Sequence, residues 1–159
     1  MRGFLFCSSC FILCFGNEWW KETAIYQVYP FSLYDTNSDG YGDLQGIQQK
    51  LDYLEFLGVE TIWITPIYES PMKDFGYDVS NYLDINPLFG TLEDFSNLVR
   101  DVHNHGLKLI MDFVPNHSSD QHEWFLRSEE RIWPYTEYYV WEDPRGWDTE
   151  TGMDCKNMS

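Results

Sequence analysis

Residues 35–43 read Asp-Thr-Asn-Ser-Asp-Gly-Tyr-Gly-Asp, the densest run of oxygen-bearing side chains in the sequence. Oxygens at Asp35, Asn37 and Asp39, a glycine for a tight turn, the Tyr41 carbonyl and a final carboxylate at Asp43 suit a hard cation such as calcium. The spacing opens like an EF-hand loop, but the twelfth position is Gly46, where that loop needs a bidentate glutamate. The alternative is an Asp/Asn/Gly turn whose side chains cap their own backbone, with Asp43 capping the next helix. A second cluster is Asp74-Phe75-Gly76-Tyr77-Asp78. An aromatic ring beside carboxylates suits a sugar, because the ring stacks on the apolar face of a pyranose while the acids accept from its hydroxyls. Acidic loops with tyrosine also occur as plain turns. A third is Asp112 at the end of an apolar run, followed by Asn116-His117. A carboxylate closing a buried strand is costly without a partner, which favours a functional role for it. His117 is equally compatible with a structural histidine. His103 and His105 fall on the rear of a helix and read as solvated.

The elements that must position these groups alternate. Ala24 to Tyr29, Val59 to Ile64 and Leu107 to Val114 are β-branched or nearly continuous apolar runs that read as buried strands. Between the first two, Leu44, Ile47, Leu51, Leu54 and Leu57 recur at helical spacing up to Gly58, which suits a left-handed cap. Between the second and third, Thr91 to Asp94 has a capping-box pattern, and Leu92, Phe95, Leu98, Val99 and Val102 form one apolar face ending at His105-Gly106. The order β-α-β-α-β predicts a parallel sheet with right-handed crossovers. All three clusters then follow strand carboxyl ends and open onto one face. Beyond Val114 an aromatic, acidic stretch reads as an irregular excursion.

Composition narrows the partners. With 10 Lys+Arg against 26 Asp+Glu, the net charge of −16 argues against nucleic acid, whose phosphates need local positive charge. An aromatic content of 18% favours a packed chain over disorder. Residues 1–16 read as a secretory signal peptide: a basic start, an uncharged run of about thirteen residues, and a small residue before the polar Asn17-Glu18. That run is shorter than the roughly twenty residues that span a bilayer, so no stable membrane anchor is expected. Cleavage would remove Cys7, Cys10 and Cys14 and leave Cys155 alone. Asn116-His117-Ser118 and Asn157-Met158-Ser159 fit the N-glycosylation pattern; the first lies in the candidate site loop and is expected to stay unmodified.

Five ordered blocks carry a resemblance: Trp19-Trp20-Lys21-Glu22; Tyr26-Gln27-Val28-Tyr29-Pro30; Asp35 to Asp43 with Leu44-Gln45-Gly46-Ile47; Gly76 to Ser80; and Asp112-Phe113-Val114-Pro115-Asn116-His117. Together they resemble the alpha-amylase family of glycoside hydrolases, within it the oligo-1,6-glucosidase and maltase branch, and most of all the secreted alpha-glucosidases (maltases) of insects. The resemblance implies an α/β fold, the N-terminal portion of a (β/α)8 TIM barrel with about three strands and two helices over 17–117, and the start of a domain inserted after strand three over 118–159. It places Asp35, Asn37, Asp39, Tyr41 and Asp43 on a structural calcium loop. It places Asp74, Tyr77 and His117 against the non-reducing glucose of an alpha-glucoside oligosaccharide, Tyr77 by stacking, and Asp112 in the polar network beneath. The implied reaction is retaining hydrolysis by an Asp nucleophile and a Glu acid, which in this family follow later strands. No residue of this sequence matches them, so no catalytic residue is assigned and Asp78 and Asp112 are not substitutes. The chain is expected to be a secreted fragment, poorly soluble and inactive alone, because three parallel strands cannot close a barrel. Two other readings stand beside this one: a non-catalytic relative of amino-acid transporter heavy chains, and a small secreted calcium- or sugar-binding product.

Overall fold

A computed structural model of the protein describes residues 18–142. The expected leader over 1–16, the four cysteines and the second glycosylation triplet lie outside the described residues. In chain order the elements are β1 (Ile25–Val28), α1 (Pro30–Leu33), α2 (Leu44–Gln49), α3 (Leu51–Phe56), β2 (Thr61–Ile64), β3 (Tyr68–Glu69), β4 (Asn81–Ile85), α4 (Leu92–Asn104), β5 (Lys108–Met111) and α5 (Glu123–Glu129). Single 3-10 turns lie at Trp19–Lys21 and Tyr135–Glu137.

β1, β2 and β5 form the expected parallel sheet, in the order β1-β2-β5. Their register pairs Val28 with Ile64 and Ile64 with Met111, so the three strands end level. The ladder runs one step further, with the Thr65 amide donating to the Val28 carbonyl at 3.0 Å and the Asp112 amide to that of Ile64 at 3.1 Å. Whatever follows each strand therefore emerges side by side on one face.

The helices carry the expected apolar faces onto this sheet. Leu44, Ile47, Leu51 and Leu54 are fully buried against Ile62 and Ile64 in one core with Leu98 and Val102 of α4. Burying each such side chain contributes about 1.5–3 kcal/mol. The first helical run is not continuous: it divides at Lys50 (φ −102°, ψ 5°), whose amide turns to Ile47 and Gln48 and whose ammonium sits 3.9 Å from the Tyr34 ring centroid. Gly58 ends α3 at φ +77°. α4 has a full capping box, the Thr91 hydroxyl accepting from the Asp94 amide and the Asp94 carboxylate from the Thr91 amide. Leu92, expected on its apolar face, is half exposed.

Three further expectations are corrected. β1 is not a buried strand: Ile25 is 46% and Tyr26 37% exposed, because β1 is a sheet edge with no second neighbour among the described residues. The expected three strands and two helices over 17–117 are exceeded, since α1 precedes α2 and the segment between β2 and α4 contains the antiparallel pair β3–β4. The stretch after Val114 is not wholly irregular, since α5 forms there, its N-cap made by His122, whose Nδ1 accepts from the Trp124 amide at 3.0 Å. Among the described residues no helix is long and apolar enough to cross a membrane.

Candidate functional site

The level strand ends bring the predicted sugar-facing residues into one hydrogen-bonded group. Asp112, the first residue beyond β5, is half-buried, and its Oδ2 accepts from the Tyr77 hydroxyl at 3.0 Å. The partner that a carboxylate at this position needs is therefore supplied across 35 residues of chain. His117 lies exposed on the same face, with Nε2 3.2 Å from the Tyr77 carbonyl and Nδ1 3.1 Å from Asn116 Nδ2. Asp74 joins through the turn in which the Tyr77 amide donates to its carbonyl at 3.0 Å, and its carboxylate is exposed. Tyr77 thus touches both Asp112 and His117, and Asp74 stands at the open side.

The electrostatics keep Tyr77 a neutral phenol. Burial raises its ionisation range first, and the hydrogen bond to Asp112 and the charges of Asp112 and Asp74 add to it. The ring is fixed at its hydroxyl while Asp74 remains free to accept from a hydroxyl-bearing ligand.

Asp78 organises the loop below. Its Oδ1 accepts from the Ser70 hydroxyl at 2.8 Å and the Asp74 amide at 3.1 Å, and its Oδ2 from the Lys73 amide at 2.9 Å. Burial pushes its pKa up, but these bonds outweigh it and the net shift is down. They also hold two non-glycine residues in the left-handed region, Met72 at φ 59° and Phe75 at φ 54°. Backbone strain of this kind persists only where the surroundings over-determine it.

Two residues of the site escaped the sequence reading. The Tyr68 hydroxyl donates to the Asp112 carbonyl at 2.7 Å, and the Tyr82 hydroxyl lies 2.8 Å from the carbonyls of both Val114 and His117. Both tyrosines stand on the β3–β4 hairpin and pin the chain after β5, and both contact partners more than thirty residues away, which leaves no local signal. Beside them opens a cavity of about 1210 Å³ lined by Tyr68, Tyr82, His117, Trp124 and Tyr138. Of the predicted site residues, only His117 borders it.

The Asp35 loop lies apart, after β1. Asp35 Oδ1 accepts from the amides of Asn37 and Ser38 and Oδ2 from that of Gly40; Asn37 Oδ1 accepts from Asp39, and Asp39 Oδ1 from Tyr41. The Gly40 amide lowers the Asp35 pKa most; desolvation opposes it, and the amides of Ser38, Asn37 and Asp39 tip the net shift downward. Asp43 is buried; its Oδ1 accepts from Gly46 at 2.6 Å as the N-cap of α2, and its Oδ2 accepts from the Thr36 amide and hydroxyl. These are the bonds of a self-capped turn. A cation at this loop would have to share oxygens that already accept from the loop's own amides.

The comparisons agree with this architecture. The profile of the alpha amylase catalytic domain matches residues 27–158. The chain is 56% identical over 121 residues to an alpha-glucosidase of Apis mellifera, covering 76% of this chain and 21% of that protein. It is 54% identical over 126 residues to the human amino acid transporter heavy chain SLC3A1, covering 79% and 18%. Among solved structures, the trehalulose synthase MutB from Pseudomonas mesoacidophila MX-45 superposes with a TM-score of 0.79 at 50% identity, covering 82% of this chain and 24% of that one. The chain belongs to the alpha-amylase family, and its three parallel strands are part of a (β/α)8 barrel. It spans about a fifth of the length of these curated relatives.

Proposed function

We propose that the chain is part of a secreted alpha-glucosidase and supplies the surface that holds the non-reducing glucose of an alpha-glucoside. The observation that carries this reading is the Tyr77–Asp112–His117 group with Asp74 at its open side, on a family barrel strand end. Tyr77 stacks on the sugar ring, Asp74 accepts from its hydroxyls, and His117 lies against the same ring. Asp112 positions Tyr77. The Asp35 loop, with Asn37, Asp39, the Tyr41 carbonyl and Asp43, holds a calcium ion that stiffens the link between α1 and α2.

Retaining hydrolysis needs one carboxyl kept protonated as acid and one ionised as nucleophile. In the family this chain belongs to, those two carboxyls follow later barrel strands, so we assign the described residues to binding and expect no turnover from them. Equilibrium dialysis with labelled maltose tests the reading. Saturable binding that Tyr77→Ala abolishes, with no glucose released, is the expected result; binding that Tyr77→Ala leaves intact would overturn it.

A second reading is favoured by the identity with SLC3A1: a non-catalytic ectodomain that serves a transporter. It differs in one outcome, since such a chain needs no glucose site and would bind no maltose.

A further inference from the structure

A cluster outside the sugar face has its own chemistry. Asp52 and Glu55 stand one turn apart on α3, and His105 follows α4, at the end of the fold where those helices terminate. His105 was expected to be solvated, yet it is half-buried with both ring nitrogens engaged. Nδ1 lies 2.7 Å from the Asp101 carbonyl, an acceptor only, so Nδ1 carries the hydrogen. In the neutral ring this leaves the Nε2 lone pair facing Asp52 Oδ1 at 3.1 Å. Two acceptors at that distance need a cation between them, either a proton or a metal ion. Ligands about 2.05 Å from a tetrahedral zinc lie about 3.3 Å apart, close to the separation found. A donor atom from Glu55 completes a set lying within 4.8 Å of one another. An imidazole oriented by a backbone carbonyl through its other nitrogen is the usual arrangement of a metal-binding histidine.

We propose that Asp52, Glu55 and His105 form a surface site for a borderline divalent cation of the zinc class, bound through His105 Nε2 and one oxygen from each carboxylate, with water completing the shell. The mixed nitrogen and oxygen set distinguishes it from the all-oxygen Asp35 loop, which suits a hard cation.

The test is a titration of the full chain, its cysteine thiols blocked by alkylation, with zinc chloride at low micromolar protein, in competition with a fluorescent zinc chelator, above neutral pH and with millimolar calcium and magnesium present to fill oxygen-only sites. The expected result is one zinc per chain, weakened about tenfold or more by His105→Asn and by Asp52→Asn. His103→Asn, at an exposed neighbour, leaves the affinity unchanged. Circular dichroism checks that His105→Asn folds; if it does not, Asp52→Asn and Glu55→Gln, both at exposed positions, decide. No zinc binding by the wild type, or wild-type affinity no tighter than that of Asp52→Asn, would leave His105 and Asp52 as an imidazolium–carboxylate ion pair only and overturn the proposal; weakening by His103→Asn equal to that by His105→Asn would overturn it by placing the zinc elsewhere.

Discussion

Asp43 does the work of two residues, and its removal separates them. One oxygen caps α2 at the Gly46 amide, 2.6 Å away; the other takes the Thr36 amide at 3.0 Å and hydroxyl at 2.7 Å; the residue is 6% exposed. Asp43→Ala removes an N-cap worth about 1 kcal/mol. It also strands the Thr36 amide in a part-buried site, at a cost of about 1–3 kcal/mol. The expected loss is about 3 kcal/mol, which at a urea dependence of about 1.5 kcal/mol per molar lowers the unfolding midpoint by about 2 M. Asp43→Asn keeps one acceptor oxygen and is expected to lose about half as much. Urea unfolding in EDTA isolates this turn contribution from any bound cation. A loss below about 0.5 kcal/mol for the alanine variant, the size of an ordinary surface substitution, would refute the reasoning. Repeating the titration with excess calcium tests the ion: wild type should gain stability and Asp43→Ala should not.

Gly46→Ala would gain about 1 kcal/mol in helix propensity, but its Cβ would lie 2.0 Å from the Tyr34 carbonyl oxygen, so a net loss of about 2 kcal/mol is expected in thermal unfolding. A stabilised variant would show that α2 can move off the preceding loop. His122 gives a pH signature. Burial lowers its folded pKa against a small opposing effect of Glu123, and its Nδ1 must stay unprotonated to cap α5. Below the unfolded value of about 6.5 the unfolded chain takes up a proton that the folded chain refuses, so this stability is full above that pH and falls on acidification until the folded pKa is reached. His122→Asn can keep the cap without titrating. The difference in stability between wild type and variant should therefore shrink or reverse as the pH falls below about 6.5, and a difference independent of pH would rule the histidine out as its source.

The three barrel strands, the α4 capping box and the glycine stops at Gly58 and Gly106 were legible because each depends on near neighbours in sequence. β3 and β4 were not, since Tyr68 finds Ile85 and Glu69 finds Asn81 through an irregular register with no alternation to mark it. α5 was missed because a histidine supplies its cap, and the break at Lys50 because nothing local forbids a continuous helix there. The exposure of β1 depends on which strands flank it, a property no window of its own sequence holds. In the site, Asp112 was readable from the cost of ending a buried strand with a carboxylate. Tyr68, Tyr82 and the organising role of Asp78 were not, because hydroxyl and amide contacts to distant backbone leave no spacing to detect.

The central claim is that Asp74, Tyr77, Asp112 and His117 hold a glucose ring. Saturation-transfer NMR with methyl α-glucoside, at low micromolar protein, tests it most directly, because it reports ring protons lying against the protein even for weak binding. The account predicts transfer to the glucose ring protons from the wild-type chain, its loss in Tyr77→Ala, and its retention in His103→Asn, which lies outside the site. Equal transfer from wild type and Tyr77→Ala, or none from either in a folded chain, would contradict it.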